Sequence, residues 1–171
     1  MRTVAVLAAL GLALMLQTTL AGVSMAAGAR VNLVLVAVVY VALAFGALTG
    51  LLAGTVGGLI QDAVAGGIIG IGSLSKTVVG FFVGVLGAQF IVSTPVPRFL
   101  MFVGASFVHE LLFQGLYALV ESRPFRMQYP TTLVQAFVNG AVGIAAFLLV
   151  ERGPEMFQRG NWRRSPSRRR Y

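Results

Sequence analysis

Gly46, Gly50, Gly54 and Gly58 recur at every fourth position in sequence that carries almost no charge. Residues four apart are neighbours on a helix surface, so these glycines form three overlapping GxxxG steps along one face. Apolar side chains gain little by leaving lipid for one another. Membrane helices therefore associate by close packing, and small residues let the backbones approach. The run ends at Asp62, the only aspartate, and the only lysine, Lys76, follows in the next apolar stretch. Charge is costly at membrane depth and marks packing or function there. The pattern predicts an all-α, polytopic membrane protein.

Composition narrows the class further. Of 171 residues, 57% are hydrophobic and 11% charged, well outside the balance of a soluble domain. The net charge of +8 is local, because seven of the thirteen Lys and Arg residues lie after Val150. That basic tail suits a cytoplasmic segment beside anionic lipid, and it argues against a nucleic-acid-binding domain. The expected organisation is a six-helix transmembrane domain over 1–150 and a disordered basic tail over 151–171, including Arg163, Arg164 and Arg168 to Arg170. Cysteine is absent, which excludes disulfides and thiolate metal sites.

A span takes roughly 20 apolar residues. The first stretch runs from Thr3 to about Met25 and reads as a bundle helix, interrupted by Gln17, Thr18 and Thr19. The alternative is a leader segment with Ser24-Met25-Ala26 as a cleavage-like site, but an h-region usually runs about 7–15 residues. Further helices are expected at about Val31–Phe45, Leu48–Gln61, Leu74–Val92, Arg98–Val120 and Thr131–Val150. Ala63 to Gly72 reads as a compact glycine-broken loop, lying in the interface or re-entering the membrane. With the N-terminus inside, the cytoplasmic face receives Arg2, Arg98 and the tail arginines. The positive-inside rule then places both termini in the cytoplasm.

Three sets of polar residues fall inside or beside these spans. Asp62 and Lys76 flank the glycine-broken loop, as a charge pair pinning it or as an ionic site for a ligand or partner. His109, Glu110 and Gln114 sit on the fifth helix, where Glu110 is either a functional carboxylate or one held by internal hydrogen bonds or by Lys76. Gln135 and Asn139 share a face of the sixth helix and suit interhelical hydrogen bonding. A single histidine without a supporting acidic cluster makes a poor metal site, and no metal or cofactor is expected. No nucleophile–base–acid grouping, phosphate-binding loop or acid–base carboxylate pair is present, so the chain does not read as an enzyme.

The first eighty residues resemble the MreD family of rod-shape-determining membrane proteins. The resemblance rests on Gln17-Thr18-Thr19-Leu20, Asn32-Leu33-Val34-Leu35 with Tyr40, and the glycine run through Gly57-Gly58-Leu59-Ile60-Gln61-Asp62. Gly66, Gly67, Gly70, Gly72, Lys76 and Gly80 continue it. Where family members often carry a proline before the second helix, this chain has Val31.

The resemblance implies a six-helix fold similar to the substrate-binding subunits of energy-coupling-factor vitamin transporters. It also implies a non-enzymatic role in the bacterial cytoplasmic membrane. That role is binding MreC and, through it, RodA, a class B penicillin-binding protein and MreB. The glycine face, Gly46, Gly50, Gly54 and Gly58 with Gly80 and Gly84, would form a structural or partner-binding groove for a helix. The competing reading is a vitamin-type binding subunit of such a transporter, which would need an aromatic-lined pocket with polar tips.

Overall fold

The computed structural model describes residues 2–20, 30–90 and 94–162, with residues 2 and 151–162 as backbone only. Six helices make up these residues: α1 (Arg2–Thr19), α2 (Leu33–Phe45), α3 (Ala47–Ala65), α4 (Ile71–Gln89), α5 (Pro95–Val120) and α6 (Tyr129–Trp162). No strand occurs among them. Four helices are long and apolar enough to cross a membrane, namely α3, α4, α5 and α6 over Tyr129–Val150, while the apolar parts of α1 and α2 are shorter.

Local chemistry sets the helix ends. Asn32 caps α2, its side-chain oxygen accepting from the Leu35 amide at 3.1 Å. A single residue joins α2 to α3: Gly46, at φ 91°, stops one helix and starts the next. A side chain is strongly disfavoured at that φ, so the tight reversal depends on glycine. Gly66 closes α3 in the left-handed region at φ 68°, and Pro95 opens α5 where its missing amide costs nothing.

Helix ends depart from the sequence expectation at several places. The expected loop over Ala63–Gly72 contracts to residues 66–70, because α3 runs on to Ala65 and α4 begins at Ile71. The contracted loop is largely exposed. The α6 backbone stays helical to Trp162, beyond the expected end at Val150. The expected end of the first helix at Met25, the Ser24-Met25-Ala26 site, the expected end of helix four at Val92 and the arginines from Arg163 onward lie outside the described residues.

α2 is the centre of the bundle and touches all five other helices. Leu35, Val36, Val39 and Ala42 pack on Val79 and Val83 of α4 and on Phe102 and Ala105 of α5. Val38 and Val41 face Leu10 of α1 and Ala53 of α3. The outer helices follow one another around α2 in the order α1, α3, α4, α5, α6, and α1 and α6 do not meet. The ring is therefore open along one side of α2. Leu33, Ala37 and Tyr40, partly buried, and Ala44, exposed, lie on that side, and their spacing of four, three and four makes them a single stripe. Leu43 and Phe45 are the other residues of α2 that are not buried.

Candidate functional site

The glycine face is the seam between α3 and α4, the most extensively packed helix pair among the described residues. A Cβ on Gly54 would strike the Lys76 carbonyl and meet the Thr77 amide nitrogen at 2.8 Å. One on Gly58 would strike Ser73, and one on Gly50 or Gly80 would run into the other's carbonyl oxygen. Gly84 stands against Ala47 and Gly46. Each step of four along α3 is matched by a step of three or four back along α4, as antiparallel contact requires.

Hydroxyls reinforce the seam, with Thr55 and Thr77 bonded at 2.8 Å and Ser73 Oγ donating to the Thr55 carbonyl at 2.9 Å. Gly46 itself stands at the turn with open space around its Cβ position. The seam is thus filled by α4 from the same chain, and that face has no room for a helix from another protein.

At the far end of the seam, Asp62 caps α4. Gly70 has no side chain to cap the helix, and the Asp62 Oδ2 reaches across to accept from the Gly70 and Ser73 amides, each at 3.0 Å. A carboxylate on free amides at a helix start also opposes the positive end of the helix dipole. Lys76 is buried and donates to the Gly72 carbonyl at 3.4 Å. No salt bridge joins Asp62 to Lys76, although Lys76 lies within electrostatic reach of both Asp62 and Glu110. The expected charge pair is replaced by a cap and a neighbouring cation, because unsatisfied backbone amides sit closer to the carboxylate than the ammonium does.

The remaining polar residues gather at the same end of the bundle. Glu110 is held by two amides, Gln114 at 2.7 Å and Gln135 at 3.4 Å, rather than by Lys76. Asn139, fully buried, accepts from the Asn32 backbone amide at 3.0 Å and donates to Ser106 Oγ at 3.2 Å. The Asn32 side-chain amide lies 3.3 Å from His109 Nε2. Gln17 of α1 holds the approach to α2, donating to the Val31 carbonyl at 2.9 Å and accepting from the Leu33 amide at 2.7 Å.

Asn32, Gln17 and Ser106 were not among the expected site residues. A polar residue directly before an apolar run is a capping signal and marks Asn32, but nothing local to Gln17 or Ser106 announces their partners. Tyr117 is a further addition, its hydroxyl accepting from the Ile68 amide at 3.2 Å and so anchoring the α3–α4 loop.

These side chains surround a cavity of about 510 Å³. Of the expected residues, Asp62, Lys76, His109, Glu110 and Gln135 line it, joined by Gln17, Arg30, Asn32 and Gln61. Gln114 lies beside Glu110 and faces a separate recess, and Asn139 lies deeper between the helices. Among the described residues, no three His, Cys, Asp or Glu side chains come together as a metal site.

A central apolar helix, a glycine seam and a polar end buried among spans define a small helical integral membrane protein. A family model described as rod shape-determining protein MreD matches residues 1–152, and the chain belongs to that family. No curated protein and no solved structure gives a match. Membership places the chain in rod-shape determination, and the family is one of shape-determining structural membrane proteins.

Proposed function

We propose that this protein is a non-enzymatic, multi-pass scaffold of the bacterial cytoplasmic membrane that binds MreC within the cell-wall elongation complex. RodA, the class B penicillin-binding protein and MreB are reached indirectly through MreC. Both termini lie in the cytoplasm, where the basic tail rests on anionic lipid.

The observation that carries this reading is the open side of the helix ring. The membrane helix of MreC docks between α1 and α6, on the α2 stripe Leu33, Ala37, Tyr40 and Ala44. Small residues on that stripe, Ala37 and Ala44, permit the backbone approach that helix association in lipid needs. The vitamin-binding alternative calls for an aromatic-lined pocket, whereas Phe113 is the one aromatic residue among the described residues lining the polar cavity. That contrast favours the scaffold.

Co-purification tests the assignment. Ala37→Phe should release MreC while leaving the amount of folded protein in the membrane unchanged. The same change at Leu119, 77% exposed on α5, should leave MreC bound. Undiminished MreC with a folded Ala37→Phe protein places the contact elsewhere. In a depletion strain, loss of rod shape supports the scaffold, and normal shape with lost vitamin uptake refutes it.

A further inference from the structure

The polar cavity holds more hydrogen-bonding capacity than the chain itself satisfies. Asn32 Oδ1 accepts from the Leu35 amide, which leaves its NH2 group to face His109 Nε2. A nitrogen that accepts from an amide carries no proton, so in the neutral ring the hydrogen sits on Nδ1. His109 is 3% exposed, and its Nδ1 is buried without a partner. Gln61 Oε1 is likewise buried and unpartnered, as an acceptor. Lys76, 2% exposed, has three ammonium protons and one hydrogen bond among the described residues, the 3.4 Å contact to Gly72. All three residues line the same cavity. Buried polar groups are otherwise nearly always bonded, and leaving one unmade is costly.

The carboxylates on the cavity wall make no hydrogen bond to Lys76, His109 or Gln61 among the described residues. Asp62 Oδ2 is occupied by the Gly70 and Ser73 amides, and both Glu110 oxygens by Gln114 and Gln135. Arg30 at the rim and Lys76 together balance Asp62 and Glu110 in formal charge. The unfilled positions are two donors, Lys76 Nζ and His109 Nδ1–H, and one acceptor, Gln61 Oε1. A volume of about 510 Å³ lies in the range of small-molecule sites, about 300–1,000 Å³.

We propose that this cavity binds a small polar molecule bearing one carboxylate, which Lys76 receives, with His109 and Gln61 meeting an acceptor and a donor beside it. Two unfilled donors lining one cavity suit a carboxylate, whose oxygens only accept. The proposal does not rest on how MreC is bound, since no residue of the α2 stripe lines the cavity.

The composition makes the test direct. The chain contains one lysine and one histidine, so selective 15N labelling of each gives signals from Lys76 and His109 alone. The full chain in lipid nanodiscs is titrated with N-acetylglycine and, separately, with its neutral counterpart N-acetylglycinamide. The acid should shift both the Lys76 Nζ and the His109 ring signals saturably, and the amide should shift neither. Lys76→Met should raise the amount of acid needed to shift His109 about tenfold or more. Lys76→Arg, which keeps the cation, should retain the shift, and it serves if the methionine variant does not fold. N-acetylglycine is smaller than the cavity, so poor fit cannot explain a failure to bind. No saturable shift, or equal shifts by acid and amide, overturns the proposal.

Discussion

Adding one methyl group at Gly54 tests whether the α3–α4 seam holds the bundle together. In Gly54→Ala the new Cβ would collide with the Lys76 carbonyl, with the Lys76 carbonyl carbon at 2.6 Å and the Thr77 nitrogen at 2.8 Å. These are backbone atoms of a regular helix and cannot rotate away, so the two helices must separate. Overpacking of this kind costs about 1–3 kcal/mol. Separation also stretches the Thr55–Thr77 and Ser73–Thr55 bonds that cross the seam, each worth about 0.6 kcal/mol in a membrane protein.

Gly104→Ala on α5 is the control, because its Cβ meets nothing within 4 Å. Both variants gain the same helix propensity of alanine over glycine, about 1 kcal/mol, so the difference between them isolates the seam. That difference should be about 2–4 kcal/mol. Reversible unfolding in mixed detergent micelles reads it directly, with Gly54→Ala less stable than the native protein and Gly104→Ala equal or more stable. Equal stability of the two variants would refute close backbone contact at Gly54.

Asp62→Ala should destabilise by about 1–2 kcal/mol through loss of the α4 cap. Most of that loss should persist in a Lys76→Met background; full rescue there would mean the two residues act as a pair. Asn139→Ala strands the Asn32 amide and the Ser106 hydroxyl in the buried interior, and an unsatisfied buried group costs about 1–3 kcal/mol. Its thermal midpoint should fall well below that of Gln114→Ala, whose site is half exposed, and similar losses would contradict the network described. Cysteine is absent from the chain, so single cysteines report topology cleanly. Arg126→Cys should react with an impermeant maleimide from outside the cell and Asn161→Cys should not, and the reverse pattern excludes cytoplasmic termini.

The helical membrane class and the existence of a close-packed seam were legible in the sequence because each follows from local chemistry. Long uncharged apolar stretches can satisfy their backbone groups in lipid as helices, and glycines four apart must share a face whatever surrounds them. The residues of the family pattern, from Gln17 through the glycine run to Lys76, lie in the part of the chain that the family model matches. Spacing along a helix defines a face and says nothing of its occupant. Only the tertiary structure laid α4 against Gly50, Gly54 and Gly58.

The same limit applies to the polar residues. Asp62 and Lys76 are each single in the chain and flank one loop, which made an ion pair the natural reading. The folded backbone instead brought the free amides of Gly70 and Ser73 to the carboxylate. Glu110 found Gln135 from another helix, and Asn139 found the start of α2, contacts between positions far apart in the chain. Such pairings depend on which helices are neighbours and at what depth, quantities set by the packing of α2 among five partners. The cavity beside Lys76, His109 and Gln61 is the clearest case, since its walls come from all six helices or the segments joining them, and its shape exists only once they have assembled.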